Sequence, residues 1–514
     1  MLFLLFQWVI NKHLIESLFI LFMRDNSKLE RLNICPVNIM NLRWVILWVS
    51  LYAVLWTIVT VSLDPAVPYD AVEALNWAQN AEWGSPKNPW LVGLVMQPAL
   101  HLPAHIYWYA AHFLAIAIGM VGSWVFAHRL TGSKKLAWVA LLTLNLSGLI
   151  NFDIISYNDN YLLVMLWPWM MYCYLQAISR SPYWWLAFAL LAGLATMSKY
   201  STLILVGSVF LSTLVVADIR RCYRHIVWYC ALALGVLLIT PNILWLQAHN
   251  FAALHWVNSE MHPGINPGLF TCLISIFYPL LISVAILYFC GVRLRWPASW
   301  EGRVVLGVYL IPLTALCCWF FFFNSGRLTE WLQPFFILAP ALMVSCVNQT
   351  SVIVPRAAFV TLFSAALLVL AGYCGVMYAN VANAGQKMSG VIPFSDTVNR
   401  LWFQRYGTPL KYVGGERLAE WLTFYVPSRP KIITKWNNIT QPNIYSADIR
   451  RAQLLHDGVA LIGRVGGSCS TEHFGTALQA WPHMQIDMKI PIDFQTDPSH
   501  DVQTVCIGFV RPVG

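Results

Sequence analysis

Few residues in this chain are able to do chemistry, and the most telling of them fall between stretches that cannot. Asp70 and Glu73 lie three apart in DPAVPYDAVEALNWAQNAEWGSPKNPWL, residues 64–91, with Trp77 four positions further on. At helical spacing these positions share one face, so two carboxylates and an indole point the same way. Pro65 and Pro68 precede the segment and Gly84-Ser85-Pro86 closes it, which predicts a short helix over 70–83. A carboxylate here suits a general base, or a group that orients an acceptor hydroxyl. The plainer alternative for Asp70 is an acid favoured by the helix dipole. Glu82 reads as solvated surface.

A second acidic cluster, Asn158-Asp159-Asn160, opens a later apolar run, with Asp153 just ahead of it. It either caps that run or brings more carboxylates to the surface that carries Asp70. Three cations belong to the same side of the reading: Lys87 in GSPKNPW, Lys199 in ATMSKYS and Arg327 in NSGRLTEWLQP. An ammonium acts on a phosphate as a point charge, and a guanidinium grips it with two donors. Against this, lysines beside membrane spans snorkel to lipid headgroups, and Arg327 has Glu330 at i+3. His249, His255 and His262 are spaced to allow a metal site, but Glu260 is the one acid near them, and hydrogen-bonding roles are favoured.

These residues are carried by a membrane protein. Of 514 residues, 58% are hydrophobic and 11% charged, against about a quarter charged in soluble domains. The formal net charge of +9 reads as cytoplasmic loops rather than as a nucleic-acid surface. No glycine-rich phosphate loop, zinc-type cysteine pairing or internal repeat is evident. Residues 1–22 are apolar but interrupted by Lys12, His13 and Glu16, with no cleavage site after them. They read as an interfacial helix, or as an extension upstream of a start at Met40.

Spanning-length apolar runs fall near 44–62, 104–127, 136–152, 160–178, 184–198, 200–217, 225–246, 268–290, 303–323, 333–348 and 357–379, about eleven in all. One set of connectors carries Arg129, Lys134, Lys135, Arg180, Arg220, Arg221, Arg224, Arg293, Arg295, Arg303 and Arg356; the other carries Lys87, Lys199 and Arg327. By the positive-inside rule the first set is cytoplasmic, which puts Asp70 and residues 380–514 outside. The chain therefore divides into an N-terminal extension (1–43), a transmembrane module (44–379, with a first outer loop at 64–103) and a C-terminal part (380–514). The last has strand-like runs at 410–415, 431–434, 459–465 and 504–510 and a helix-like piece at 416–426. It reads as a small soluble α/β domain joined to the membrane by residues 390–407. Cys469 and Cys506 could pair there in an oxidising compartment, or stay as separate buried thiols.

Several stretches together resemble the GT-C superfamily of membrane glycosyltransferases, in the bacterial branch related to protein O-mannosyltransferases and the lipid A aminoarabinose transferase. They are YDAVEALNWAQNAEWGSPKNPWLVG, YNDNYLLVMLWPW, GLATMSKYS and TPNILWLQAHNFAALHW, with RLTEWLQPF in addition. The likeness runs over residues 44–350. It implies that Asp70 is the catalytic carboxylate, and that Asp159 belongs to the second acidic motif. It implies too that Lys87 and Lys199 contact the donor phosphate. The family's paired acid after Asp70 is Ala71 here, which leaves Glu73 as its substitute.

The fold so implied is a polytopic α-helical membrane protein of GT-C type, whose first periplasmic loop bears a juxtamembrane helix, with the C-terminal α/β domain beyond. The implied activity is transfer of a sugar from a polyprenyl phosphate, of the undecaprenyl kind, to a cell-envelope acceptor at the periplasmic face of a bacterial inner membrane, with inversion. The acceptor is a lipid, a glycan or a protein. No cofactor follows from these motifs beyond an optional divalent cation, and nucleic acid is not among the partners. A transporter or flippase of lipid-linked glycans would also place charges beside spans, but near the mid-membrane and often on inverted repeats.

Overall fold

The computed structural model describes residues 39–151, 160–326, 328–347, 354–385, 388–433, 449–466, 469–498 and 501–513. Residues 1–48 form one compact unit and 49–514 another. Of the first, what is described is the opening of helix α1 (Ile39–Leu63). After α1 come α2 (Tyr69–Asn80), α3 (Ala104–Thr131), α4 (Lys134–Asn145), α5 (Asn160–Ser179), α6 (Trp184–Thr196) and α7 (Thr202–Val215). Then follow α8 (Ile226–Ala248), α9 (Ala252–Ser259), α10 (Leu269–Phe289), α11 (Trp300–Phe323), α12 (Ala339–Ser345) and α13 (Arg356–Ala384).

Seven of these helices are long and apolar enough to cross a bilayer: α1, α3, α5, α8, α10, α11 and α13. The expectation of about eleven spans differs at four places. Three of the apolar runs are the short helices α4, α6 and α7, and the run at 333–348 is a 3-10 turn leading into the seven-residue α12. Mean hydropathy cannot tell a short helix sheltered inside a bundle from a lipid-facing span, because both are apolar all round. The 12 residues of α4 include nine that are buried.

Helix α3 is the axis of the bundle, with 72% of its most apolar window buried, whereas the matching window of α13 is 11% buried and faces outward. Close packing explains the difference. At Gly119 an added Cβ would sit 2.1 Å from the Val164 carbonyl oxygen of α5, and at Gly122 it would strike the Trp169 indole. Small residues let two membrane helices touch backbone to backbone. Prolines inside α5, α8, α10 and α11 are accommodated, as is common in membrane helices. At the far end of α3, Arg129 donates to Gln176 and Ser179 of α5 at 2.9 and 2.7 Å. The basic connectors at 129–135 and 180 thus lie at one end, and the first loop lies at the other.

The C-terminal part contains a five-stranded mixed sheet in the order β2-β1-β3-β5-β4, formed by β1 (Tyr412–Gly415), β2 (Lys431–Ile432), β3 (Val459–Val465), β4 (Met488–Phe494) and β5 (Gln503–Val510). The β1 pairings are parallel and the β5 pairings antiparallel. Helices α14 (Val391–Tyr406), α15 (Ala419–Tyr425) and α16 (Arg451–Asp457) accompany it. The segment 390–407, read as a link, is α14, and its Phe394 and Trp402 lie against Phe494 and Phe509 at 5.1 and 5.4 Å. It is part of the domain. Strand β4 was not legible because it is an edge strand with Pro491 inside it and half its side chains in water. Cys469 and Cys506 are joined as a disulfide.

Candidate active site

Helix α2 is amphipathic by composition, but Ala71 through Ala78 are all buried, so it is wrapped on several sides. It runs from Tyr69 rather than Asp70 and stops at Ala81, which takes a left-handed conformation and donates its N–H to the Trp77 carbonyl. The expected end at Gly84 is wrong because Gly84 has another task. An added Cβ there would lie 2.3 Å from the Trp245 ring. The backbone rests on an indole, and only glycine lets it come that close.

From Gly84 the chain makes a tight turn to Pro89. Pro86 restricts it, and the Ser85 hydroxyl accepts from the Lys87 and Asn88 N–H groups at 3.3 and 2.8 Å. This turn delivers Lys87 to the acids. Its Nζ is 3.4 Å from Asp70 Oδ1 and 3.2 Å from Glu73 Oε2. The ammonium also lies over the Trp256 ring of α9, 5.3 Å from its centre, a cation–π contact. The Lys87 side chain is 8% exposed, Glu73 is fully buried and Asp70 is 18% exposed. Asp70 is therefore the acid of the pair that a substrate can reach. Burial pushes the Glu73 carboxyl up to about 8, with Lys87 opposing and the charges of Asp70 and Glu420 reinforcing the rise.

Lys199 sits in a second cluster. Its ammonium donates to Asn160 Oδ1 at 2.9 Å and to the Glu330 carbonyl at 3.3 Å, and Asn160 in turn donates to Gln333 at 2.9 Å. A backbone hydrogen bond from Leu91 to Met197, 3.0 Å, ties the first loop to the turn that carries Lys199. Asp159 and Arg327, like Asp153, lie outside the described residues, and Asn160 is where the second acidic motif enters the structure.

Glu82 is not solvated surface. Its carboxylate accepts the Trp245 indole N–H and lies 3.9 Å from His249 Nε2, while His249 stacks on Trp245. Asn242 donates to the Trp83 carbonyl at 2.8 Å and accepts from Tyr200 at 3.0 Å. Asn242, Trp245 and His249 are spaced i, i+3, i+7, a polar and aromatic stripe on an otherwise apolar helix. That stripe was the available signal for a face that holds the first loop. Among the described residues, no three His, Cys, Asp or Glu side chains converge as a metal site.

Residues 85–245 match the model of the dolichyl-phosphate-mannose-protein mannosyltransferase family. Among solved structures the chain is similar to ArnT from Cupriavidus metallidurans bound to undecaprenyl phosphate, at 14% identity with a TM-score of 0.60 over 90% of this chain and 98% of that one. ArnT in the apo state is similar at 14% identity and a TM-score of 0.58, over 90% and 97%. The fold of this chain is the one seen in these two ArnT structures. No curated protein matches the sequence. The match to the family model begins within the Lys87 turn and ends at Trp245, so it takes in the segments that hold Lys87, Asn160 and Lys199.

Proposed function

We propose that this protein transfers a sugar from a polyprenyl-phosphate donor, of the undecaprenyl-phosphate kind, to a hydroxyl of a cell-envelope acceptor. The acceptor is lipid A or other lipopolysaccharide, another glycan, or protein. The site faces the periplasm from the inner membrane of a bacterium. The observation that carries this reading is the cluster of Lys87 with Asp70 and Glu73 in the first loop, within a fold shared with a protein solved with undecaprenyl phosphate bound. The Cys469–Cys506 disulfide in the C-terminal domain supports an oxidising compartment on that side.

The chemistry follows from the partners. An acceptor O–H lies against Asp70, which takes its proton as the oxygen attacks the anomeric carbon. The bond from that carbon to the phosphate oxygen breaks, its electron pair leaves with the lipid phosphate, and the anomeric centre inverts. Negative charge on the leaving phosphate is met by Lys87, with Lys199 and Arg327 as further cations and Asp159 as a second acid beside the acceptor. With Glu73 protonated below about pH 8, Lys87 and Asp70 balance and a phosphate meets no net negative charge. The test is transfer of labelled sugar from synthetic polyprenyl-phosphate sugars, with Asp70→Asn beside the wild type. A loss of about 10²- to 10⁴-fold in kcat is expected for removal of a general base. Undiminished transfer removes Asp70 from the mechanism.

A further inference from the structure

The side of α2 adjoining the stripe that faces Lys87 is covered by the C-terminal part, through contacts from just before the helix to near its end. Tyr425 of α15 accepts the Val67 N–H at 2.7 Å and donates to the Pro65 carbonyl at 3.0 Å. Gln79, near the other end, donates to the Arg429 carbonyl at 2.8 Å. Between them lies Glu420, 3% exposed, whose carboxylate accepts from the Tyr69 hydroxyl at 2.8 Å and from the Asn76 amide at 3.4 Å. Trp421 packs on the Tyr69 ring at 5.1 Å, and the Arg417 guanidinium lies over that ring at 3.6 Å.

Tyr69 and Asn76 are seven apart, so they form one stripe of α2, and it runs beside the stripe of Asp70, Glu73 and Trp77. A helix held on one stripe cannot roll, and the neighbouring stripe is then aimed. A 1 Å misplacement of reacting groups is enough to cost a large factor in rate. Resting on the transferase reading above, we propose that Glu420 is a positioning residue. By holding Tyr69 and Asn76 it sets the rotation of α2, and so aims Asp70 and Glu73 at Lys87. The C-terminal part is then a side wall of the active site, next to the acids. Burial raises the Glu420 carboxyl to about 7, and Glu73 is faced by Lys87 from the loop, Asp70 from its own helix and Glu420 from α15.

The experiment compares full-length wild type with Glu420→Ala and Glu420→Gln in detergent. One readout needs no activity: the rate at which an amine-acylating reagent modifies Lys87, followed by mass spectrometry. Glu420→Ala is expected to speed Lys87 labelling about tenfold and to lower kcat about 10- to 100-fold, with donor KM within about threefold. Glu420→Gln keeps an acceptor for Tyr69. It is expected to hold labelling and kcat within about threefold of wild type. Because it removes a charge facing Glu73, it also moves the alkaline limb of the pH profile to lower pH.

An unchanged Lys87 labelling rate in the alanine variant overturns the proposal, whether or not transfer is observed. Should the alanine variant fail to fold, Tyr69→Phe, which removes the hydroxyl that Glu420 accepts, takes its place, and an unchanged Lys87 labelling rate there overturns the proposal. A wild type that moves sugar from no polyprenyl phosphate overturns the transferase reading alone.

Discussion

Helix α2 is held from two sides by different physics. In front, the turn 84–89 grips it by charge: one buried ammonium within 3.4 Å of two carboxylates. On the adjoining side, α15 grips it by directed hydrogen bonds and ring contacts, from Tyr425 at Pro65 to Glu420 at Asn76. A charged grip responds to whatever charge enters the site, because a phosphate competes directly for Lys87. The α15 grip also contains charged groups, the Glu420 carboxylate and the Arg417 guanidinium, but it acts through short-ranged contacts whose strength depends on geometry. The comparison teaches that the Lys87 side of the helix is suited to respond to an entering anion while the α15 side keeps the helix in register.

The largest expected effect breaks the front. Lys87→Met leaves two acids facing each other in a buried place, and kcat for transfer should fall about 10²- to 10³-fold. Breaking a buried ion pair also costs about 3–5 kcal/mol of stability, read as a lower Tm. Activity within threefold of wild type removes the electrostatic account. A second prediction sharpens it. Transfer at low donor concentration should decline as pH rises past about 8, where Glu73 ionises and the cluster gains a negative charge. Glu73→Gln should flatten that decline, and an identical pH profile in the variant assigns the limb to another group.

The third prediction concerns stability. Glu73 and Glu420 keep protons in the folded protein over a pH range where the unfolded chain, with ordinary values of 4.5, has released them. Their contribution to stability is therefore full below about pH 4.5 and falls as pH rises. It levels off near 7 for Glu420 and near 8 for Glu73. Thermal melts of Glu420→Gln should slope less than wild type between pH 4.5 and 7. The smallest effect tests the α15 grip at its edge. Tyr425→Phe loses two hydrogen bonds, about 1 kcal/mol each, so Tm should drop by a few degrees with kcat within twofold. A tenfold fall in kcat would make Tyr425 more than a fastener.

Much of the site was legible because it is local. Asp70 and Glu73 at i, i+3 show their shared face in the sequence, and Ser85-Pro86 announces the turn that presents Lys87. Glu420 gave no such sign. It lies 344 residues from its partner Asn76, in a stretch that reads simply as an amphipathic helix. Glu82 looked like surface because a lone carboxylate near a turn usually is, and only the arrival of Trp245 gives it an indole partner and covers part of it. Strands β1, β3 and β5 were visible as apolar runs, while β4, at the edge and broken by Pro491, was not.

By itself the sequence determined that this chain lives in a membrane, which of its loops carry charge, and that acids and a lone lysine share the first of them. Composition and short-range spacing suffice for that, since hydropathy and helical periodicity are properties of neighbours along the chain. Tertiary structure alone decided which apolar runs continue as long helices and which break into short ones. It also decided which charge pairs with which, and that a C-terminal helix hundreds of residues away holds the flank of α2. Burial and pairing depend on what packs across space, and residues hundreds apart leave no periodic trace of their meeting.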